Sequence, residues 1–155
     1  MAESVVTDAM RALIGVEHPE ATFEVTSTGC RLFARAVGHT DPIFYDRETA
    51  RHRGFRDFVA PPGFLGNAVI RPADNVARRD LGMRTPYRRA LNGGTTFEYL
   101  EPLCAGDVIA ARSKVTKYQE RLSSIGPMLI TFRETSYVRT DGVLVVKMYD
   151  HVINY

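Results

Sequence analysis

His39 and Asp41 lie two positions apart in His39-Thr40-Asp41-Pro42, directly after Gly38. An imidazole beside a carboxylate is a simple oriented base, because histidine changes charge near neutral pH and the carboxylate fixes its tautomer. Such a pair suits general acid–base work, the taking or giving of a proton. The same two residues can equally cap the neighbouring helices or bond the loop, since aspartate beside proline is a common turn choice. A second group is basic: Arg71, Arg78, Arg79, Arg84, Arg88 and Arg89 share a stretch whose only acids are Asp74 and Asp80. Their forked donors match phosphate oxygens or an acidic partner, with a solvated loop as the plainer alternative.

The other polar residues point away from chemistry. Cys30 and Cys104 are far apart and belong to no CxxC pair, so buried small hydrophobes are expected in place of a disulfide. His18, His52 and His151 show no ligand-like spacing, and no metal site is expected. Glu120-Arg121 reads as a surface or interface pair. Tyr99, Tyr118 and Tyr137 read as half-buried aromatics of a sheet.

These groups must be held by a single domain. The chain has 155 residues, enough for one core and a single unit over 1–155. Twenty Lys and Arg against 18 Asp and Glu leave a formal charge of +2, too near balance for a nucleic-acid binder. No apolar run approaches the ~20 residues that cross a bilayer. Met1-Ala2-Glu3-Ser4 lacks the basic patch and apolar segment of a leader, so a soluble, cytoplasmic protein is expected.

The spacing predicts a short helix over Ser4 to Ile14, stopped by Gly15, and a brief strand over Phe23 to Thr26. Thr28 then offers a cap for a helix whose inner face is Leu32, Phe33, Ala36 and Val37, ending at Gly38. Pro42 breaks the chain, and Asp46 caps a further helix that stops near Gly54. Pro62 can open a helix over Gly63 to Ile70 that is apolar nearly all round and so should be enclosed. After a polar stretch to about Leu91, alternation predicts strands over Thr95–Glu101, Asp107–Leu122, Met128–Val138 and Val143–Ile153, joined by short turns. Small helices followed by long strands predict an α+β fold in which an antiparallel sheet curls around the apolar helix.

The stretch Phe33-Ala34-Arg35-Ala36-Val37-Gly38-His39-Thr40-Asp41-Pro42-Ile43-Phe44-Tyr45-Asp46, followed by Gly54-Phe55 and Val59-Ala60-Pro61-Pro62-Gly63-Phe64, resembles the amino-terminal signature of MaoC-like hydratases and fatty-acid-synthase-type dehydratase domains. Leu91-Asn92-Gly93-Gly94, Phe97-Glu98-Tyr99, Gly106-Asp107, Gly126-Pro127-Met128 and Thr135-Ser136-Tyr137 resemble the same group's strands. The resemblance implies a hotdog fold, a dimeric or double-hotdog assembly, no metal or redox cofactor, and an acyl group carried as a coenzyme A or carrier-protein thioester. It implies reversible addition of water to a 2,3-enoyl thioester, giving the 3R-hydroxyacyl thioester. It also makes Phe44 and Tyr45 candidates for the wall of an acyl pocket, with packing under the loop as the plainer alternative, and sets Pro61, Pro62, Gly63 and Phe64 beside the thioester, with the Gly63 N–H facing it. Arg78, Arg79, Arg84, Arg88 and Arg89 become candidates for the phosphates of coenzyme A.

The departure from the motif is chemical. In its catalytic form an Asp follows the glycine, an Asn precedes the proline, and a His stands two residues after the proline; this chain has His39, Asp41 and Phe44 there. A phenyl ring moves no proton. The expectation is therefore an acyl-thioester-binding subunit of an enoyl-thioester hydratase or 3R-hydroxyacyl-thioester dehydratase, with the Asp and His supplied by a second hotdog subunit. The alternatives are a self-sufficient homodimeric hydratase, dehydratase or isomerase using His39 and Asp41, and a binding module without turnover.

Overall fold

The computed structural model describes residues 4–18, 21–66 and 85–155. Three short α-helices, α1 (Asp8–Ala12), α2 (Ser27–Ala36) and α3 (Arg47–His52), precede most of a five-stranded antiparallel sheet. Its strands are β1 (Ala21–Glu24), β2 (Ala90–Tyr99), β3 (Val108–Ser123), β4 (Gly126–Arg139) and β5 (Leu144–Asn154), in the spatial order β1-β3-β4-β5-β2. The expected run of sequential neighbours therefore holds for β3, β4 and β5 only. β2 passes to the far side and pairs with β5, while β1 pairs with β3.

Two turns explain the meander. Ser123 faces Gly126 across the first, with the Ser123 hydroxyl donating to the Gly126 carbonyl at 2.9 Å. In the second, Asp141 accepts from the Val143 N–H at 3.1 Å and pairs with Arg139, while Gly142 takes a φ of 88°. That φ suits glycine because it has no Cβ to clash.

Alternation along the strands sends one side chain in two toward the helices. Ile109, Tyr137, Val146 and Met148 meet there with Val25, Cys30, Phe64 and Leu65 to form the main core. Val6, Met10 and Leu129 form a smaller one under the amino terminus. The inward face also carries polar groups: Ser113 and Thr135 share a hydrogen bond at 2.9 Å, and buried Asp150 pairs with Arg133.

Several local expectations shift. The first helix is shorter than Ser4–Ile14, because Thr7 caps it through the Met10 N–H, and the Val5 N–H is held by Glu120 at 2.6 Å. Glu120 thus anchors the amino-terminal segment. Thr26, not Thr28, caps α2, its hydroxyl accepting from the Gly29 N–H at 3.1 Å. Starting there, the buried stripe runs through Cys30 and Ala34 with Phe33 half-buried, and leaves Leu32 and Val37 exposed. The first strand ends at Glu24, and β2 begins at Ala90, where an irregular segment was expected.

Within those extra residues β2 carries a bulge between Asn92 and Gly94. A Cβ on Gly93 would lie 2.3 Å from the His151 ring, which stacks on Phe132 with centroids 5.3 Å apart. The missing side chain is what lets the ring lie against the strand. Of the expected apolar helix, Phe64–Gly66 form a 3-10 turn with Phe64 and Leu65 buried, and residues 67–70 lie outside the described residues.

Candidate acyl-binding site

Two loops converge on the open end of the core. The first follows α2. Gly38 adopts φ 76°, its N–H donates to the Arg35 carbonyl, and the His39 N–H donates to the Ala34 carbonyl. This is a Schellman ending that satisfies carbonyls the helix would otherwise leave open. Asp41 then caps the 3-10 turn Pro42–Phe44, accepting from the Ile43 N–H at 3.0 Å, and both its oxygens take the Arg53 guanidinium at 2.8 and 2.9 Å. The Ile43 amide, helped by Arg53, holds the Asp41 carboxyl below its ordinary range.

The expected His39–Asp41 pair is not joined by a hydrogen bond. Asp41 is engaged by its own cap and by Arg53, while the His39 ring lies against Phe44 with centroids 5.2 Å apart. The Tyr45 hydroxyl donates to the His39 carbonyl at 2.5 Å. Phe44, at the motif's histidine position, is 7% exposed. Asp46 caps α3 as expected, accepting from the Thr49 N–H at 2.9 Å.

The second loop is Val59 to Gly66. Val59 bridges to Cys104, and the Ala60 N–H donates to the Leu103 carbonyl at 2.7 Å, so this segment runs as a short ribbon beside Leu103–Ala105. Arg56 grips buried Asp107 with two bonds of 2.7 and 2.9 Å, and Asp107 also accepts from the Cys104 N–H, which pins the ribbon. Cys30 and Cys104 are both buried and free, and burial pushes the Cys30 thiol up to about 12. At Gly63 the backbone turns with φ 84°, and its N–H donates to the Tyr99 hydroxyl of β2 at 2.7 Å.

Between the loops and the end of β2 lies a cavity of about 380 Å³, lined mainly by apolar groups, among them Ile43, Phe44, Ala60, Pro62, Leu103 and Tyr99. The structure thus brings two of the expected substrate-side residues, Phe44 and Pro62, to one wall. Pro61 is fully buried, Phe64 belongs to the core against Phe33, and Tyr45 turns its hydroxyl to His39. Arg71, Arg78, Arg79 and Arg84 lie outside the described residues. Arg88 and Arg89 are exposed, and Arg89 exchanges backbone hydrogen bonds with Tyr155. Among the described residues, no three His, Cys, Asp or Glu side chains converge as a metal site would need, and no helix is long and apolar enough to cross a membrane.

Tyr99, expected only as a half-buried sheet aromatic, is 43% exposed and lines the cavity. Alternation along β2 puts it on the same face as Phe97, and the two ring centroids lie 6.0 Å apart. What alternation does not reveal is that Gly63, 36 residues earlier, aims its N–H at the hydroxyl. Of the other two tyrosines, Tyr137 is buried against Met148, and Tyr118 packs beside the smaller core.

Residues 12–148 match the family model "FAS1-like, dehydratase domain region". The chain belongs to this family. Among curated proteins it is similar to a UPF0336 protein of Streptomyces griseus, 37% identical over 97 residues; the match spans 63% of this chain and 64% of that protein, just under two thirds of its length. Among solved structures it is similar to the C-terminally truncated HadBC complex of Mycobacterium tuberculosis, a 3R-hydroxyacyl-ACP dehydratase, with 25% identity, a TM-score of 0.75, and coverage of 92% of this chain and 97% of that one. The ChsH1–ChsH2 complex of the same organism superposes with a TM-score of 0.77 at 17% identity, covering 96% and 89% of the two chains. The fold is the hotdog of the MaoC-like dehydratases, a curled antiparallel sheet against short helices.

Proposed function

We propose that this chain is the acyl-thioester-binding subunit of a 3R-hydroxyacyl-thioester dehydratase or enoyl-thioester hydratase, completed by a second hotdog subunit that carries the catalytic Asp and His. The observation that carries this reading is Phe44. A buried phenyl ring occupies the position where the motif needs a proton carrier, and Asp41 beside it is held by Arg53 and the Ile43 N–H.

In that arrangement water adds across the 2,3 double bond, its hydroxyl to C3 and a proton to C2, with both proton movements made by the partner's pair. This chain's Phe44, Pro62 and Leu103 exclude water from the acyl group and fix its direction. Two further features support a partner. The HadBC and ChsH1–ChsH2 structures are both of complexes, and β2 is an edge strand, which proteins normally cover or pair. The carrier named for HadBC, an acyl carrier protein, is one candidate; coenzyme A is the other, with Arg78, Arg79, Arg84, Arg88 and Arg89 the candidates for its phosphates by residue type alone.

Turnover of crotonyl-CoA by the purified chain, alone and mixed with a hotdog protein bearing the intact motif, tests the reading. The expected result is hydration only in the mixture. Hydration by the chain alone would overturn it in favour of a self-sufficient homodimer using His39 and Asp41. Thioester binding without turnover in either preparation would leave the binding-module alternative.

A further inference from the structure

The Tyr99 hydroxyl accepts from the Gly63 N–H at 2.7 Å, and no described residue accepts the hydroxyl's own proton. The ring lines the apolar cavity beside Phe44 and Pro62 and is 43% exposed, so the hydroxyl sits between a fixed backbone donor and a space that can take a ligand. A hydroxyl that accepts one hydrogen bond becomes a stronger donor for the next. Its orientation is set from behind: Gly63 holds φ 84°, a conformation that few side-chain-bearing residues adopt. Burial also pushes the Tyr99 phenol above its ordinary pKa, which keeps the proton in place at neutral pH. Glu101 also lines the cavity but is exposed.

We infer that Tyr99 is the hydrogen-bond donor to the carbonyl oxygen of the bound acyl thioester in this chain, with the Gly63 N–H acting through it to position the hydroxyl. The inference rests on the acyl-thioester reading of the cavity. It replaces the direct Gly63 contact that resemblance implies with a relay in which the backbone donor orients a side-chain donor. It also gives the cavity a direction: the carbonyl lies toward β2, and the acyl tail runs toward Phe44 and Leu103.

The test uses a saturated thioester that cannot be hydrated, butyryl-CoA labelled with 13C at the carbonyl, bound to the wild-type chain and to Tyr99→Phe. A parallel arm presents the same butyryl group on an acyl carrier protein, and the tighter of the two names the carrier. The wild-type chain is expected to shift the carbonyl infrared band to lower frequency. Tyr99→Phe should return it to the free position and weaken binding roughly five- to tenfold, the loss typical of one hydrogen bond. A wild-type band at the free position overturns the assignment without needing the variant. Tighter binding by Tyr99→Phe also overturns it, because Tyr99 would then be covering the Gly63 donor. Unchanged affinity and frequency in the variant remove Tyr99 but leave the thioester reading intact, whereas no binding of either thioester by the wild-type chain removes both.

Discussion

The two loops that meet at the cavity use their polar groups in opposite ways. From Gly38 to Tyr45 the described bonds turn inward: Asp41 is taken by Ile43 and Arg53, the His39 carbonyl by Tyr45, and the helix end by its own cap. From Pro61 to Gly66 the backbone donor at Gly63 reaches out of its own loop to the Tyr99 hydroxyl of β2, whose proton no described residue accepts. The first loop has the form of a wall and the second the form of a contact. In the proposed reading a family motif loses its reacting groups while the opposite side of the pocket keeps its capacity to bind, because different stretches of chain build the two functions.

Substitutions that act on one loop and spare the other sharpen this contrast. The largest effect is expected from Phe44→Ala. Removing a phenyl ring that is 7% exposed should cost about 3 kcal/mol by thermal or urea unfolding. The enlarged cavity should also favour longer acyl thioesters over butyryl; an unchanged chain-length preference would take Phe44 out of the wall. His39→Ala comes next. In the mixed complex it should change turnover by less than about twofold, since the proposed proton carriers lie on the partner; a loss beyond tenfold would return chemistry to the first loop.

Asp41→Asn is expected to be smallest, because asparagine still caps the 3-10 turn and only the exposed pair with Arg53 is lost. Its sign with pH is fixed. Asp41 has a depressed pKa in the folded chain, so its contribution is fully present above the unfolded carboxylate value of about 4 and fades as pH falls through the folded one. The melting temperatures of wild type and Asp41→Asn should therefore differ slightly at pH 7 and converge in acid. A gap that widens on acidification would contradict the Arg53 pairing.

The strands were legible because alternation and glycine turns are local signals. Val108–Ser123 and Gly126–Arg139 fall close to their expected bounds. Pairing order was not, since nothing within β2 states that it will cross to β5. The cap of α2 went astray for a related reason: Thr26 and Thr28 are both competent hydroxyls, and the neighbouring strand decides between them by ending at Glu24. At the site, the substitution of Phe44 for histidine could be read directly from residue types. The Tyr99–Gly63 contact could not, because it joins segments 36 residues apart and depends on how the second loop is pinned by Arg56 and Asp107.

The open side of β2 has a consequence for how the protein is made. That strand pairs with β5 on one side only in the described sheet, and Leu91, Tyr99 and Leu100 along or just beyond it are partly exposed. A chain synthesised in excess of whatever covers this edge would present a ready template to other unpaired strands and an apolar target to chaperones and proteases. Balanced synthesis of the chain and its cover would then matter to the cell as much as the pocket does, and surplus copies would be short-lived.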